Sequence, residues 1–259
     1  MASRNGAATS ADWLRRYSDT RGAAVRLVCF PHAGGAANFF RSWPDALGPR
    51  VDVVAVQYPG RHDRMGVPCE DTMAGAVTPI AHALAEPGDR PTVFFGHSMG
   101  AAIAFEVALE LERGNGPAPR EIVVSAREAP DSAHRRPEDF RTDEDIIAEV
   151  RRLGGVSAEL IDNEDFRSFA MPALRGDFRL ITGYRPDPAR AVRAALTAYV
   201  GDRDPDLSEE DMRAWAKYTT GDFACRVFPG DHFYLAERPD EVLADLALRL
   251  VAERTSEVG

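Results

Sequence analysis

Short apolar runs that alternate with helical stretches constrain this chain more than any other feature. The runs occupy residues 25–31, 51–58, 92–95, 121–126, 194–200 and 225–228, and helical periodicity fits 38–47, 72–85, 101–113, 208–218 and 239–253. Strands that are apolar throughout and separated by helices are typical of a parallel sheet covered on both faces. The alternation therefore predicts a doubly wound α/β domain of six strands, for which 259 residues suffice with room for an insertion.

One stretch interrupts this alternation. Residues 131–186 contain no convincing strand and favour consecutive helices, one of which starts with a T-D-E-D capping box at Thr142. We interpret 131–186 as a helical lid, and 1–130 together with 187–259 as the core domain. Such a lid would cover the carboxyl edge of the sheet, where open α/β sheets bind ligands. Ordinary peripheral helices are the alternative.

Charge and composition exclude several classes of function. The net charge of −10 repels polyanions, so nucleic acid is not an expected partner. No apolar stretch reaches the ~18 residues that a membrane span needs, and the N-terminus has no signal-peptide core. Cys29, Cys69 and Cys225 have the spacing of neither a metal site nor a redox pair. We expect a cytoplasmic protein that binds no metal and no membrane.

The sequence Gly-His-Ser-Met-Gly at 96–100 carries the strongest chemical signal. It follows a predicted strand directly and precedes a predicted helix directly, which is the setting in which G-x-S-x-G forms a nucleophile turn. Glycine at 96 and 100 removes side chains that would collide with the backbone of this turn. The motif predicts that Ser98 is a nucleophile at the N-terminus of a helix.

A serine hydroxyl needs a base to accept its proton and an acid to orient that base. Among the six histidines, only His232 follows the last predicted strand, where a loop can bring it over Ser98. The acid should follow the preceding strand, where the chain reads Gly-Asp-Arg-Asp at 201–204. Either Asp202 or Asp204 fits the chain order Ser, Asp, His of an α/β-hydrolase. Periodicity does not choose between the two.

Hydrolysis at Ser98 also needs two N–H donors for the tetrahedral intermediate. One is expected from Met99, the residue after the nucleophile. The other is expected from Ala33, because the loop Phe-Pro-His-Ala-Gly-Gly at 30–35 resembles the HGGG-type turn of esterases. A plain glycine turn is the alternative interpretation of this loop.

Several separated motifs together indicate a family. FPHAGG (30–35), QYPGRHDR (57–64), GHSMG (96–100), SAREAP (125–130), GDRD (201–204) and FPGDHFYL (228–235) occur in this order. Together they resemble the external, type II thioesterases that accompany modular polyketide and non-ribosomal peptide synthases. The resemblance extends from about residue 13 to residue 235. Alanine at 126 and histidine at 62 depart mildly from the family pattern and leave the catalytic residues untouched.

This resemblance implies an α/β-hydrolase fold with an inserted helical lid, and it assigns the orienting acid to Asp204. It implies a substrate in which an acyl group is held as a thioester on the phosphopantetheine arm of an acyl or peptidyl carrier protein. The implied role is editing, which is the hydrolysis of stalled or wrongly primed acyl units in polyketide or non-ribosomal peptide biosynthesis. No cofactor is expected, because the phosphopantetheine belongs to the partner, and a monomer is expected.

Two sets of residues are candidates for substrate recognition. The acyl pocket is expected on the lid, at Phe166, Phe169, Met171, Leu174 and Phe178, although a helical stripe is more often simple packing. Docking of the carrier and its phosphate is expected at arginines, whose planar fork binds phosphate with two hydrogen bonds. The docking candidates are Arg61, Arg64, Arg135 and Arg136.

Three other functions fit part of the pattern. A malonyl-type acyltransferase shares the serine motif but usually starts with FPGQG and has no later GDxD and GDHF. A non-enzymatic α/β-hydrolase-fold scaffold would usually lack part of the triad. A small-molecule carboxylesterase or lipase uses the same triad, so the triad alone does not exclude it.

Overall fold

The computed structural model describes residues 10–18, 21–86, 90–132 and 140–251. Within these residues, seven strands form one sheet. The strands are β1 (Leu14–Arg16), β2 (Val25–Phe30), β3 (Val51–Val56), β4 (Thr92–His97), β5 (Glu121–Ser125), β6 (Ala195–Gly201) and β7 (Phe223–Phe228). The helices are α1 (Ser10–Trp13), α2 (Trp43–Leu47), α3 (Met73–Leu84), α4 (Met99–Arg113), α5 (Asp143–Leu153), α6 (Ala158–Ile161), α7 (Glu164–Gly183), α8 (Glu209–Arg213), α9 (Tyr234–Glu237) and α10 (Pro239–Val251).

The sheet has the order β1-β3-β2-β4-β5-β6-β7, and every neighbouring pair is parallel except β1 and β3. Strands β3, β5 and β6 are buried along their whole length. Apolar side chains are needed on both faces of such strands, which explains why they are continuous apolar runs rather than alternating ones. The predicted parallel, doubly wound architecture is confirmed.

The order of the strands determines where a ligand can bind. The chain passes from β2 outward to β3 and then returns to β4 on the other side of β2. The loops after β2 and β4 therefore diverge at a topological switch point, the usual ligand site of an open α/β sheet. Phe30, the last residue of β2, pairs with Gly96 in β4, so both loops start at the same level of the sheet.

Between β5 and β6 lie three helices and no strand among the described residues. We call α5, α6 and α7, residues 143–183, the helical segment. The predicted capping box is present: Thr142 Oγ1 accepts from the Asp145 N–H, and the Asp145 carboxylate accepts from the Thr142 N–H. A separate apolar cluster lies inside the segment, formed by Ile146, Ile147, Ile161, Met171, Leu174 and Phe178.

Three elements differ from the expectations. Strand β1 was not predicted, because its three residues, Leu-Arg-Arg, form a half-exposed edge strand without an apolar run. The helix expected over 38–47 is a 3₁₀ turn at Ala37–Phe40 followed by α2. The helix expected over 208–218 is α8 followed by a 3₁₀ helix at Ala214–Tyr218. Among the described helices, none has the length and apolar character needed to cross a membrane.

Candidate active site

The turn between β4 and α4 holds Ser98 in a conformation that few non-glycine residues adopt, with φ 53° and ψ −118°. The backbone around Ser98 leaves no space for a side chain at positions 96 and 100. A Cβ at Gly96 would lie 2.4 Å from Gly100 O, and a Cβ at Gly100 would lie 2.1 Å from Phe30 O. The Ser98 N–H donates to Ser125 O at 2.8 Å. Backbone contact on all sides thus maintains a strained turn, a feature that clusters at functional sites.

The loops after β6 and β7 bring an acid and a histidine together. His232 Nδ1 lies 2.8 Å from Asp204 Oδ2, and both side chains are buried. Asp204 Oδ1 accepts from the Asp206 N–H, so both oxygens of the carboxylate have a partner. Asp202 is nearly half exposed and accepts from Gly230 N–H and Arg203. The geometry therefore joins His232 to Asp204 and not to Asp202.

The other ring nitrogen of His232, Nε2, is buried and makes no hydrogen bond with any of the described residues. His232 and Ser98 line the same cavity, and no hydrogen bond between them is formed in this state. A buried imidazole nitrogen without a partner can accept a proton from a hydroxyl once substrate excludes water, because such contacts often tighten only in the complex.

Two backbone N–H groups border the same cavity. Ala33 and Met99 both line it beside Ser98. Neither N–H donates to another described residue. Met99 is the first residue of α4, where backbone N–H groups lack intrahelical acceptors and the helix dipole favours negative charge. The two predicted donors therefore have no competing acceptor among the described residues, and their role in binding a substrate oxygen stays a prediction.

Two candidate docking residues are in the wrong environment for that role. Arg61 is 5% exposed and forms two hydrogen bonds with the buried carboxylate of Asp177. Arg64 is 9% exposed, stacks 4.5 Å from the centre of the Trp13 ring and donates to Gln57 O. The prediction that they dock a carrier is wrong, because both side chains are buried and bonded to partners within the fold. Arg135 and Arg136 lie outside the described residues.

A cavity of about 1050 Å³ extends from Ser98 beneath the helical segment. Its lining combines the catalytic edge of the sheet with α5 and α7. The lining residues beyond Ala33, Ser98, Met99 and His232 are Ala126, Arg127, Glu128, Phe140, Glu149, Arg152, Leu153, Phe178, Ile181, Thr182, Tyr184, Arg185, Pro205, Asp206 and Leu207.

Of the five predicted pocket residues, only Phe178 lines this cavity. Met171 and Leu174 are buried in the apolar cluster of the helical segment, and Leu174 packs against the loop at Gly34. Phe169 is 56% exposed, and Phe166, which is half-buried, does not line the cavity either. The pocket prediction is therefore wrong for these four residues, because the stripe on α7 mostly packs within the segment.

Sequence reasoning missed most of the lining. Arg127 and Glu128 follow β5, and the lining residues 205–207 follow β6. Their position after parallel strands was a usable signal, because carboxyl ends of strands meet at one edge. Leu153, Ile181 and Arg185 carried no comparable signal.

Two further histidines, His97 and His32, form a series of ring contacts with His232. The rings of His97 and His232 are 5.4 Å apart, and those of His32 and His97 are 5.9 Å apart. Burial, with smaller contributions from His232 and Arg61, lowers the pKa of His32 to about 3. Burial also lowers the pKa of His97 well below its usual range, and its Nδ1 contacts Ser125 Oγ at 2.9 Å. Both rings are therefore neutral packing groups at neutral pH.

Comparison with known proteins identifies the family of this chain. A model of the thioesterase domain family matches residues 25–249. The chain belongs to the thioesterase family. The "Probable cadicidin biosynthesis thioesterase" of Streptomyces griseus is 42% identical over 96% of this chain and 68% of its own length. "Thioesterase PikA5" of Streptomyces venezuelae is 36% identical over 93% and 86%.

A solved structure agrees with these relatives. The type II thioesterase BorB from the borrelidin biosynthetic cluster superimposes with a TM-score of 0.83 at 38% identity, covering 92% of this thioesterase and 97% of BorB. The predictions of an α/β-hydrolase fold, of thioester hydrolysis and of similarity to type II thioesterases are confirmed. The acyltransferase and esterase alternatives are not favoured.

Proposed function

We propose that this thioesterase hydrolyses acyl thioesters carried on the phosphopantetheine arm of acyl or peptidyl carrier proteins, as an editing enzyme of a biosynthetic synthase. The contact between His232 Nδ1 and Asp204 Oδ2 beneath a cavity that also holds Ser98 carries the proposal. The name of BorB, a type II thioesterase of a biosynthetic cluster, supports the substrate class.

Acylation starts at Ser98. Its Oγ attacks the thioester carbonyl carbon while His232 Nε2 accepts the hydroxyl proton. The carbonyl oxygen becomes an oxyanion that accepts hydrogen bonds from the Ala33 and Met99 N–H groups. Collapse of the tetrahedral intermediate breaks the C–S bond, and the departing sulfur takes the proton from Nε2. Asp204 holds the imidazole and stabilises its positive charge without taking the proton.

Deacylation repeats these roles with water. His232 Nε2 accepts a proton from water, whose oxygen attacks the acyl-Ser98 carbonyl. The second intermediate breaks its bond to Ser98 Oγ, which regains the proton from Nε2. The products are the free acid and the carrier thiol. Every proton that His232 accepts is returned within the same half-reaction.

The helical segment serves as a lid in this proposal. Helices α5 and α7 form one wall of the cavity, and the carboxyl edge of the sheet forms the other. Leu153, Phe178 and Ile181 give this wall an apolar surface suited to an acyl chain. A lid has to move to admit substrate, so the segment should separate from the core more readily than the strands separate from each other.

Three arginines at the cavity replace Arg61 and Arg64 as docking candidates, whereas Arg135 and Arg136 stay candidates. Arg127, Arg152 and Arg185 line the cavity. Arg127 pairs with Glu128, and Arg152 pairs with Glu149 and Asp206. Arg185 is exposed and, among the described residues, donates only to the backbone oxygens of Thr182 and Tyr184. Arg185 is therefore the guanidinium best placed to bind the phosphate of the arm.

The decisive experiment compares one acyl group in three contexts: on a carrier protein, on a short pantetheine-like thiol and as an oxygen ester. We expect the highest kcat/KM for the carrier thioester. Ser98→Ala should lower kcat by about 10⁴-fold or more while leaving the fold intact.

Three results would contradict the proposal. Preference for the oxygen ester would indicate an esterase. Hydrolysis retained in Ser98→Ala would show that Ser98 is not the nucleophile. Acyl transfer to an added thiol without net hydrolysis would instead support the acyltransferase.

A further inference from the structure

A buried ion pair joins the helical segment to the loop that carries Ala33, and the mechanism above makes no use of it. Asp177 lies on α7, and Arg61 follows β3. Their side chains are 3% and 6% exposed and are linked by hydrogen bonds of 2.5 and 2.7 Å. We call residues 32–35 the oxyanion loop. An ion pair this deeply buried is costly to desolvate, which makes it weak evidence for stability alone.

Two more hydrogen bonds connect the ion pair to the backbone of the oxyanion loop. Asp177 Oδ2 accepts from the Gly34 N–H at 2.7 Å. Arg61 Nη1 donates to Gly35 O at 3.2 Å, and its Nε donates to Pro59 O. The same carboxylate therefore holds α7, Arg61 and the loop at one point.

The loop needs such support because it contains two consecutive glycines, one of them with a φ of +75° at Gly34. The Gly35 N–H donates to His32 O at 3.0 Å. In a trans peptide the C=O and the following N–H point in opposite directions, so the position of His32 O determines the direction of the Ala33 N–H. Asp177 fixes the next peptide through Gly34. The bonds on both sides of Ala33 leave its N–H little freedom to rotate.

We propose that Asp177 and Arg61 are positioning residues for the oxyanion site: they hold the loop so that the Ala33 N–H points toward the developing oxyanion. Because Asp177 belongs to the helical segment, the site is complete only while this part of α7 is seated against the loop. This inference rests on the proposed function, since it assigns the Ala33 N–H to the oxyanion of the thioester reaction.

The test uses a short thioester substrate and a matched acyl trifluoromethyl ketone, which forms a tetrahedral adduct with the serine. Asp177→Leu should lower kcat by about 100-fold, approaching the loss of a direct oxyanion donor, with KM changed less than about threefold. The inhibition constant of the ketone should rise by the same factor as kcat/KM falls. Asp177→Asn keeps an acceptor for Gly34 but loses the charge, so it should cost about 10-fold and remains informative if Asp177→Leu does not fold.

The double variant Arg61→Met/Asp177→Leu separates positioning from stability. Replacing both charges by apolar groups should restore much of the stability lost in either single variant, but kcat should stay low because Gly34 and Gly35 lack their partners. Asp52→Asn is the matched control. It weakens the ion pairs of the buried Asp52 carboxylate with Arg16 and Arg26 at the opposite end of the sheet, so it should lower the melting temperature and leave kcat of the folded enzyme unchanged.

The outcomes distinguish this inference from the proposed function. If Ser98→Ala abolishes hydrolysis but the Asp177 variants keep wild-type kcat, or lose activity through KM alone, the positioning role is refuted and the mechanism remains. Recovery of full kcat in the double variant would also refute it. If Ser98→Ala retains hydrolysis, the proposed function itself fails.

Discussion

The core at the catalytic edge and the helical segment above it are built by different means. The core buries strands β3, β5 and β6 completely and places Ser98 by backbone contact at Gly96 and Gly100. The helical segment has a cluster of six buried apolar residues. Its other contacts include exposed ion pairs such as Arg151–Asp162 and Arg175–Asp143. Exposed ion pairs contribute about 0–1 kcal/mol each.

We infer from this difference that the core carries out catalysis and that the helical segment selects the acyl chain. Groups that must be positioned to within fractions of an ångström follow rigid strands. In the proposed mechanism, the groups that would contact the variable acyl chain lie largely on helices, and we propose that these helices move without disturbing the triad. The two regions are connected by Asp177 at the oxyanion loop, by Leu174 packed against that loop and by Arg152 paired with Asp206. Just after the segment, the Tyr184 hydroxyl donates to Glu106 on α4.

The largest expected effect lies in the core. Asp204→Asn should lower kcat by about 10⁴-fold, because the amide favours the wrong tautomer of His232. Asp202→Asn should change kcat less than threefold, since its carboxylate caps Gly230 and faces solvent. Steady-state kinetics of the two variants measures the difference. Equal losses would show that the GDRD turn acts as a unit rather than through one carboxylate.

Rates of amide hydrogen exchange should also differ between the core and the helical segment. Amides of β4 and β5 should exchange only through near-global unfolding, whereas amides of α5 and α6 should exchange through local opening, at least about 100-fold faster. Mass spectrometry of peptides from the two regions measures this ratio. Exchange of α5 as slow as that of β4 would contradict a mobile lid and would favour ordinary peripheral helices.

The sequence predicts those strands and catalytic residues whose burial or function produces a pattern among neighbouring residues. Strands buried on both faces must be apolar throughout, and Ser98, Asp204 and His232 each lie within four residues after the end of a strand. Strand β1 left no such pattern, because an edge strand with one half-exposed face tolerates arginine. The expected helix at 38–47 is interrupted before Trp43, and α2 restarts with a proline in its first turn.

Long-range polar contacts left no local signal. Asp177 lies 116 residues from Arg61 and 143 residues from Gly34, and a single aspartate on an amphipathic helix suggests a solvated face. Arg61 likewise has no local signal of burial, so the sequence predicts an accessible docking residue. On α7, periodicity identified the apolar stripe but did not separate Phe178, which faces the cavity, from Met171, which packs inside the segment.

The two regions should also differ in their response to acid. His32 has a pKa of about 3 in the fold and about 6.5 when unfolded, so below pH 6.5 the unfolded chain binds a proton that the fold does not. Stability is therefore lost as the pH falls from 6.5 toward 3, by about 2 kcal/mol at pH 5. The helical segment contains no histidine.

Urea unfolding of wild type and His32→Gln at pH 7 and pH 5 measures this contribution. The wild type should lose about 2 kcal/mol more than the variant between the two pH values. His82→Gln, which replaces an exposed histidine on α3, is the control and should lose as much stability as the wild type. An identical loss in all three proteins would mean that the His32 ring is accessible to protons in the fold.

Within the helical segment, acyl selection should depend on which side of a helix is altered. Leu153→Trp narrows the cavity, so kcat/KM for long acyl chains should fall about 10-fold while that for acetyl stays within twofold. Leu160→Trp is the control, because Leu160 is 44% exposed and does not line the cavity. Assays with a series of acyl thioesters test the pair. If kcat/KM depended on acyl chain length in the same way in both variants, Leu153 would not contact the acyl chain.

The smallest effect is expected where the helical segment ends, at Arg185. Arg185→Glu should raise KM for a carrier-bound thioester about fivefold, because phosphate loses a guanidinium and meets a carboxylate. KM for a short thioester without phosphate should not change. The difference should shrink as salt rises, since exposed charges are screened within about 10 Å at 0.1 M.

Arg113→Glu provides the matched control for this charge reversal. Arg113 is equally cationic and exposed, but it lies at the far end of α4, about 20 Å of helix away from Ser98. If docking depended only on the net charge of −10, both reversals would raise KM equally. A response confined to Arg185 assigns phosphate recognition to the junction of the helical segment and the core, whereas equal responses would remove Arg185 from the docking surface.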